Sequence, residues 1–585
     1  MAAIFPLPGF TEIYERGGPN YDEHCYQYAS SSYPQGLIQP KYIIYPRGDD
    51  EVIKAIQYAK ANKLAVAIRT GGHQYSGASS TYGNNIQLDL SNTYDDLRWE
   101  NNECTQVTVG ISYSLRVFHD KLAVKNRFVP HGQCSHVHLG GHVQTGGYGQ
   151  LGRSFGLLAD HVQKIRIITA DGEPREIQRA NQNDEDLFFA VLGGSPGNFG
   201  VVTHVTVVVH RDEDHPLSCG MRIFYPYDRD RLKRLLDVTV RMANDNSFPA
   251  DYDYCVSVLS GGSVVLPSFS PNIDYTMRTK YPEIFGQDGQ FLWPSMIIVY
   301  AQWANLGGQN QPYNSAFFNE IKEAGGEHST FRDEIALAGG HILQSIFLGA
   351  QVDDDKHRPL SELMGDWIFT NVREFEKPYI KRVFMSNSQT LVQDGWTDNV
   401  CDRIDEIQRN DDNGCHLAVQ IQHFGGKNSR VYQNNNGSTA ISWRDSNICC
   451  IMDIFYDNTQ PAQEVARTWQ QQNDACVGRR GAKFCAEDRR VFWGSHDLNL
   501  DQEHEHYFDN AGGISPETKY KRLCKIKAKV DPDGVFTPNG FCVGAPPVAA
   551  AVIGDIGANN IQDIEMAAQL RERRTEHETQ LEQVT

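Results

Sequence analysis

The chain has 585 residues, of which 40% are hydrophobic and 22% are charged, and its formal charge at pH 7 is −19. This length exceeds what one ordinary hydrophobic core supports, so two or more domains are expected. The negative charge repels phosphate backbones and anionic lipid surfaces, and no apolar run of about 18 residues is present, so we expect neither nucleic acid nor a membrane as a partner.

The N-terminal stretch 1–18, MAAIFPLPGFTEIYERGG, has neither the basic region nor the long apolar run of a secretory signal peptide. We therefore expect an intracellular protein, or a secreted one if a leader has been removed. The thirteen cysteines are scattered along the chain, and their spacing assigns no disulfide pairing.

Residues 41–70 predict a strand, a helix and a second strand. KYIIYP is typical of a strand, and DDEVIKAIQYAKANK is typical of an amphipathic helix capped by Asp49 or Asp50. AVAIRT then predicts a strand whose carboxyl end leads into RTGGHQYSG (69–77). Open α/β folds usually place ligands in such loops.

Residues 85–210 predict a compact α+β region. Strands are expected at NIQLDL and QVTVGI, and a helix at SYSLRVFHDKLA. A glycine-rich loop over about 131–160 is followed by a hairpin turning at Asp171-Gly172. A helix at NDEDLFFAVLGG and a strand at VVTHVTVVVH complete the region.

From 215 to 500 the predicted strands are longer: MRIFYP, CVSVLS, SMIIVYAQW, HLAVQIQHF and ICCIMDIFYD. Helices such as 228–245 and 461–476 separate them, which favours one large, mostly antiparallel sheet with helices on one face. A further helix is predicted over 517–529. The last forty residues, 546–585, have no strand signal and are expected to form a helical or disordered tail.

The loop HGQCSHVHLGGHVQTGGYGQLGRSFG (131–156) admits three interpretations. Gly147 to Gly152 matches the dinucleotide pattern GxGxxG, but no apolar strand precedes it and no βαβ unit encloses it. Cys134, His136, His138 and His142 are residue types that bind zinc, but their C-x-H-x-H spacing matches no common structural zinc site.

The third interpretation is that the glycines bring backbone N–H groups close to a phosphate-bearing cofactor. The same crowding of small residues recurs at LGGSPGNFG (192–200) and in the loop 69–77. Three such loops next to strands indicate one ligand-shaped cavity. The residues alone thus predict a pyrophosphate-containing cofactor held outside a Rossmann fold.

Four motifs add a resemblance to a known family. They are R-T-G-G-H-x-Y-x-G (69–77), G-x-C-x-x-V-x-x-G-G-H with the following T-G-G-Y-G-x-L (132–151), D-L-F-F-A-V-L-G-G-x-x-G-N-F-G (186–200) and Y-x-R-L-x-x-I-K-x-x-x-D-P-x-x-x-F (520–536). Together they resemble the berberine bridge enzyme-like flavin oxidases of the vanillyl-alcohol oxidase superfamily. The resemblance covers about 40–210 and 415–545.

The resemblance implies an α+β fold in which a two-part FAD-binding domain accompanies a substrate domain with a large, mostly antiparallel sheet. The FAD-binding domain is expected over 1–214 and 501–545, the substrate-binding domain over 215–500, and the tail over 546–585. The cofactor implied is FAD bonded covalently to His73 and Cys134, the positions that match the histidine on the flavin 8α carbon and the cysteine on C6. Imidazole and thiolate are nucleophilic enough for these bonds, and in this family two tethers accompany a raised reduction potential.

The resemblance also implies further cofactor contacts. Residues expected to line the pyrophosphate and the ring edge are Arg69, Thr70, Gly71, Gly72, Gln74, Ser76, Gly77, Gly140, Gly141, His142, Thr145, Gly146 and Gly147. Asn198, Val202 and Asn539 are expected to reach the adenosine half or the isoalloxazine. Val137 matches a position that leaves space for O2, which favours an oxidase, and Tyr75 is expected to face the flavin or substrate.

The catalytic base does not follow from the motifs. The tyrosine that the family uses falls at Ser495, and its glutamate falls near Cys450. His496, whose ordinary pKa near 6.5 suits a general base, and Asp453 are the replacement candidates. Gln422, which shares a sheet face with Gln420, is expected to bind substrate.

The function implied is an oxidase that takes a hydride from an alcohol or hemiacetal of a small molecule, a sugar or a secondary metabolite. O2 is the expected electron acceptor and hydrogen peroxide the expected product. A dehydrogenase or oxidative cyclase of secondary metabolism is the alternative. A flavoprotein without catalytic activity is a third, less favoured candidate. No metal is expected.

Overall fold

The computed structural model describes residues 7–25, 38–74, 77–260, 295–326, 356–368, 378–409, 413–478, 482–484, 516–539 and 542–544. In the first 214 residues the strands are β1 (Ile13–Glu15), β2 (Tyr42–Ile44), β3 (Val66–Arg69), β4 (Ile86–Asp89), β5 (Leu97–Trp99), β6 (Gln106–Gly110), β7 (Arg127–Phe128), β8 (Val162–Ile168), β9 (Pro174–Gln178), β10 (Val201–Val208) and β11 (His210–Arg211). The helices are α1 (Tyr21–Cys25), α2 (Asp49–Ala61), α3 (Leu115–Ala123), α4 (Leu139–Gln144), α5 (Gly152–Phe155), α6 (Leu158–His161) and α7 (Glu185–Val191).

A four-stranded sheet in the order β1-β2-β4-β3 forms the first layer. Strands β2, β4 and β3 are parallel, and β1 is antiparallel to β2. Helix α2 lies where the sequence predicts it, but its cap differs, because Gly48 precedes it without a side-chain cap. Instead, the Asp49 carboxylate accepts hydrogen bonds from Arg166 and from the hydroxyl of Tyr94.

A five-stranded antiparallel sheet in the order β5-β6-β10-β8-β9 forms the second layer. The predicted hairpin is present, with Ile165 opposite Ile177 and with Gly172 at φ +81° in the turn. Apolar side chains of both sheets form one core with helices α2, α3 and α7, and Ile44, Val109 and Val205 are among its buried members.

The glycine-rich segment 131–160 differs from its prediction as a loop, because it contains the three short helices α4, α5 and α6. Glycine disfavours helix in isolation, so propensity alone points to a loop. Tertiary contacts decide otherwise here: Leu139 donates its backbone N–H to Tyr113, and Gly140 donates to Ile111.

The second region is built on a six-stranded, fully antiparallel sheet in the order β12-β14-β13-β16-β17-β15. Its strands are β12 (Cys219–Pro226), β13 (Tyr252–Leu259), β14 (Met296–Trp303), β15 (Tyr379–Ser386), β16 (Cys415–His423) and β17 (Ile448–Tyr456). The described helices of this region are α8 (Arg229–Asn244), α9 (Ala316–Gly325), α10 (Leu360–Asp366), α11 (Ser388–Leu391), α12 (Trp396–Gln408), α13 (Arg430–Gln433) and α14 (Gln460–Asn473).

The sheet has two different faces. One face packs against helices α8, α12 and α14 in a second core that includes Leu236, Ile404 and Trp469. The other face turns toward the first region, because Val383, Met385 and Cys449 belong to the first core. Strand β15 was missed by the sequence pattern, since two consecutive cations interrupt its apolar alternation.

The C-terminal helix α15 (Pro516–Val530) returns to the first core, where Leu523 and Ile526 are buried. The Lys527 ammonium donates to the backbone carbonyls of Asn198 and Phe536 and to the Asp531 carboxylate, at 2.5, 2.9 and 2.6 Å. Among the described helices, none is long and apolar enough to cross a membrane.

Candidate functional site

Three loops of the first region converge on one cavity. They are the segment after β3, the segment around α4, and the segment 192–200 between α7 and β10. The cavity is lined by Ile68, Thr70, Gly71, Gly72, His73, Gln74, Ala78, Ser79, Ile111, Val137, His138, Gly140, Gly141, His142, Gln144, Thr145, Pro196, Gly197 and Val202.

Most of the predicted cofactor contacts are brought together here. The predicted residues in the lining are Thr70, Gly71, Gly72, His73, Gln74, Val137, Gly140, Gly141, His142, Thr145 and Val202. They come from segments far apart in sequence. Backbone hydrogen bonds of Gly140 to Ile111 and of Ile111 to Thr203, both at 3.1 Å, join the α4 segment to β10.

Glycines allow the loops to approach one another. A Cβ at Gly71 would lie 2.7 Å from the imidazole of His138 and 2.8 Å from the carbonyl oxygen of His136. A Cβ at Gly140 would lie 2.8 Å from the methyl carbon of Thr70. Side chains at these positions would separate the two loops.

Gly141 has the opposite surroundings. Among the described residues, its chain neighbours and own helix backbone aside, no atom lies within 4 Å of the place where its Cβ would be, and the residue lines the cavity. Its backbone is therefore open to a ligand. Gln144 links this segment to the third loop, because its side-chain oxygen accepts from Gly197 at 3.1 Å and its backbone oxygen accepts from Gly193 at 2.8 Å.

His73 is buried in the cavity wall. Burial, followed by the charges of Lys381, His136 and His138, lowers the pKa of His73 from 6.5 to about 3. The imidazole is therefore neutral at neutral pH, the form in which a ring nitrogen has a lone pair for bond formation.

Cys134 lies in the neighbouring segment and is half-buried. Its backbone oxygen accepts from Val137 at 3.3 Å. The close approach of Gly71 to His136 and His138 brings the His73 loop against the Cys134 loop. The two predicted tethers thus lie in adjacent segments, although Cys134 is not itself among the cavity-lining residues.

His142 holds the start of the Cys134 loop. Its Nε2 accepts the backbone N–H of Gly132 at 3.0 Å, and burial lowers its pKa to about 3. Within the described ranges, no three His, Cys, Asp or Glu side chains are arranged to hold a metal ion.

Arg69 lies elsewhere than the sequence prediction puts it. Its guanidinium forms a buried ion pair with Asp89 and donates to the backbone oxygen of His24 at 2.7 Å and to the hydroxyl of Tyr45 at 3.2 Å. These bonds to Asp89, His24 and Tyr45 use the guanidinium, and Arg69 is not among the residues that line the cavity.

The other predicted cofactor residues outside the lining shape the loops around it. Asn198 donates to Phe536 and accepts from Val543, both at 2.9 Å, and Asn539 donates to Ala78 and Ser80, both at 3.0 Å. Gly77 closes a turn onto Gln74 at φ +74°, Gly146 faces Ile441 and Trp443, and Gly147 faces Leu158.

The sheet of the second region contributes polar side chains next to these loops. The amide of Gln422 accepts from the Tyr148 hydroxyl at 2.6 Å and donates to the backbone oxygen of Gly149 at 3.2 Å. Gln422 thus binds the loop that follows α4. Tyr148 lies in the T-G-G-Y-G motif, where sequence reasoning attended to the glycines and missed the tyrosine.

Asp453 and Lys381 form an ion pair on the same sheet face. They are opposite each other in β17 and β15, and the ammonium lies 2.7 and 3.0 Å from the two carboxylate oxygens. Cys450, near which the family's glutamate falls, belongs to the helix-covered core and faces away from the cofactor loops. Lys381 gave no signal in the sequence.

Three further predictions, Tyr75, Ser76 and His496, lie outside the described residues. The same holds for Ser495 and for the tail 546–585. Their roles stay predictions of the sequence.

Several histidines are buried and neutral, which makes stability depend on pH. Burial lowers the pKa of His119 to about 3, of His131 to about 4 and of His210 to about 2. Unfolding restores values near 6.5, so below that pH the unfolded chain binds more protons than the folded chain. As the pH falls from 6.5 toward 4, we expect each of these histidines to lower the free energy of unfolding by about 1.4 kcal/mol per pH unit.

Urea unfolding at pH 7.5, 6.5, 5.5 and 4.5 measures this slope. The variant His119→Gln should reduce this slope by the contribution of one histidine, about 1.4 kcal/mol per pH unit. Ile165→Val, in the first core, should lower the free energy of unfolding by the same amount at every pH and leave the slope unchanged. A slope that is equal in His119→Gln and the wild type would contradict the prediction.

Comparisons with known proteins agree with this geometry. The sequence model of the family described as FAD binding domain matches residues 40–178. Berberine bridge enzyme-like 12 of Arabidopsis thaliana is 37% identical over 169 residues, which cover 28% of this chain and 31% of that protein. The FAD-linked oxidoreductase sorD of Penicillium rubens is 32% identical over 185 residues, which cover 31% of this chain and 37% of that protein.

The solved structures show the same fold over nearly the whole chain. Physcomitrella patens BBE-like 1 has a TM-score of 0.65 at 14% identity and covers 91% of this chain and 97% of its own. A chitooligosaccharide oxidase has a TM-score of 0.63 at 15% identity and covers 92% and 97%. The curated relatives named above are matched over about a third of their own length.

Proposed function

We propose that this chain, which has an FAD-binding domain and is similar to the berberine bridge enzyme-like FAD-linked oxidoreductases, is an oxidase with doubly tethered FAD. The flavin, when bound, supplies a two-electron acceptor for a hydride from an alcohol or hemiacetal carbon and passes the electrons to O2, giving hydrogen peroxide. The substrate is proposed to be a small molecule, a sugar or a secondary metabolite.

The observation that carries this proposal is the packing of the His73 loop against the Cys134 loop at one cavity. His73 and Cys134, in these neighbouring segments, would hold a flavin by its dimethylbenzene edge. The open backbone at Gly141 and the close approaches at Gly71 and Gly140 fit a cofactor that needs backbone contact.

Other residues of the chain are proposed to act on the cofactor, on O2 and on the substrate. His73 is held neutral by burial and by Lys381, which keeps its lone pair available. Val137 lines the cavity and is proposed to leave space for O2. Gln420, Ile451 and Asp453 are half-buried, whereas their neighbours on the helix-covered face are buried, so we place the substrate between this face and the cofactor loops.

We propose Asp453 as the proton acceptor among the described residues. Its carboxylate is on the face toward the first region, where it is paired with the Lys381 ammonium at 2.7 Å. The Lys381 charge also contributes to the lowered pKa of His73. His496 is the other candidate from the sequence.

Asp453→Asn is expected to lower kcat by about 10²–10⁴ because the amide cannot accept the proton. Flavin content should stay at the wild-type level. The matched control is Asp474→Asn, which removes the carboxylate that pairs with Arg382 on the neighbouring position of β15. We expect the control to lose stability and retain kcat; unchanged kcat in Asp453→Asn would return the role to His496.

The proposed function is tested by two measurements on the purified protein. Acid precipitation should leave the yellow flavin with the chain, and a panel of sugars, alcohols and alkaloids should yield hydrogen peroxide with at least one substrate. Flavin bleaching without oxygen consumption would replace the oxidase by a dehydrogenase or oxidative cyclase. A panel without any flavin reduction would favour a flavoprotein that has no catalytic activity.

A further inference from the structure

The residue before Cys134 is held by the sheet of the second region. Gln133 belongs to the cofactor-loop segment, yet its side-chain amide donates to the Tyr300 hydroxyl at 2.5 Å and accepts from the Gln420 amide at 2.8 Å. Gln133 is 8% exposed and Tyr300 is 1% exposed. Both hydrogen-bonding ends of one side chain are thus used by two strands, β14 and β16.

Tyr300 is itself fixed in place. Its ring lies 4.3 Å from the ring of Trp367, which in turn is covered by the guanidinium of Arg222 at 4.0 Å. Gln420 also donates to the sulfur of Cys255 at 3.5 Å. The partners of Gln133 therefore form a rigid set on the sheet.

The backbone on both sides of Cys134 is anchored to the first region. Gly132 donates to His142, Ser135 accepts from Arg116 at 3.3 Å, and Val137 accepts from Leu115 at 2.7 Å. Gln133 is the member of this stretch whose described side-chain bonds reach the second region. The position of Cys134 is thus set jointly by helix α3, by His142 and by the sheet.

We propose that Gln133, bound to Tyr300 and Gln420, is a positioning residue that sets Cys134 for its bond to flavin C6, so that the substrate-side sheet controls the second tether. This inference rests on the proposed function, because it assumes the doubly tethered FAD. Bond formation of this kind depends on placement, and an error of about 1 Å costs on the order of a hundredfold in rate.

The tethering step balances with O2 as oxidant. The bond forms between the sulfur of Cys134 and C6 of the flavin, and the S–H and C6–H bonds break with release of two protons. The two electrons reduce the flavin, and O2 takes them up with two protons as hydrogen peroxide. Gln133 takes no part in this chemistry beyond fixing the sulfur.

The test measures which tether is present in the purified holoprotein. Protease digestion and mass spectrometry give the fractions of flavin bonded to His73 alone, to Cys134 alone and to both, and absorption spectra of the intact protein provide a second signature. In the wild type we expect the doubly bonded form. In Gln133→Leu we expect the Cys134 bond to fall by about tenfold or more while the His73 bond persists.

Tyr300→Phe has nearly the same volume but removes one hydrogen-bond partner of Gln133. It should also lose the Cys134 bond selectively, but to a smaller extent than Gln133→Leu. The matched control is Gln302→Leu, because Gln302 donates to Gln150 across the same boundary at 3.3 Å, whereas the described side-chain bonds of Gln133 go to Tyr300 and Gln420. The control should keep both bonds.

The outcomes separate this inference from the proposed function. A wild type that releases its flavin entirely overturns the tethers and, with them, this inference. A doubly bonded wild type with equally doubly bonded Gln133→Leu and Tyr300→Phe overturns this inference alone. Equal loss of both tethers in Gln133→Leu also overturns it, since that result indicates a general structural role.

Discussion

We expect the His73→Ala/Cys134→Ser double variant to release its flavin completely on acid precipitation, whereas the wild-type protein retains it. Each single variant should keep one bond and stay yellow after precipitation. Because the family resemblance associates the tethers with a raised reduction potential, flavin reduction by substrate should slow on the order of tenfold for each lost bond, or about 1.4 kcal/mol.

The control for the thiol is Cys104→Ser. Cys104 is half-buried like Cys134 but belongs to a turn between β5 and β6, away from the cavity. Its variant should keep the wild-type flavin content and rate of reduction. Flavin retention by the double variant would mean that other residues form the bonds, and it would remove the main support of the proposed function.

The second large effect concerns Arg69, for which sequence and structure differ. We expect Arg69→Leu to lower the free energy of unfolding by about 3–5 kcal/mol, because it leaves the Asp89 carboxylate buried without its cation. Side-chain exposures of 6% and 2% in this pair leave water little access to the carboxylate. Urea unfolding of the holoprotein at pH 7.5 measures the loss.

Two further variants test whether Arg69 acts through its ion pair with Asp89 or through a contact with the cofactor. The double variant Arg69→Leu/Asp89→Leu should recover much of the stability, since neither charge remains buried. Arg98→Leu breaks the pair with Glu100, in which Arg98 is 72% exposed, and should cost at most about 1 kcal/mol. Loss of flavin with unchanged stability in Arg69→Leu would instead support the pyrophosphate contact.

The two regions meet through polar side chains as well as apolar ones. Gln133 and Gln150 approach β14 or β16 from the cofactor side, and Gln422 approaches the loop at Gly149 from the sheet side. Such bonds are directional, and a buried partner left unsatisfied costs about 1–3 kcal/mol. They therefore fix the sheet against the cofactor loops in one arrangement.

Asp253 shows a similar role for charge at this boundary. Burial raises the pKa of its carboxyl from 3.8 to about 7, against the lowering effect of Arg153. Arg153, in turn, donates from its side chain to the backbone oxygen of Pro249 at 2.8 Å. The loop carrying α5 is thus bound to the second region by the buried Arg153 guanidinium, and the Ser154 hydroxyl adds a hydrogen bond to the backbone oxygen of Ala250 at 2.9 Å.

The sequence by itself determined the cofactor loops and most of the regular elements. The glycines and proposed tether residues of 69–77 and 132–147 form motifs of consecutive residues with particular backbone conformations, so the sequence alone can identify them. Strands with a clear local apolar pattern, such as β10 and β16, were also predicted from the sequence. The pattern failed for β15, where Lys381 and Arg382 stand in a buried strand and each needs a partner from elsewhere.

Only the tertiary structure decided which side chains meet. Lys381 and Asp453 are 72 residues apart, and their contact depends on the register between β15 and β17. Gln133 reaches Tyr300 and Gln420 across the boundary of the two regions, and Arg69 turns to Asp89 because β3 and β4 are parallel neighbours. Strand register and packing fix such pairs, and neither is encoded in any short stretch of the chain.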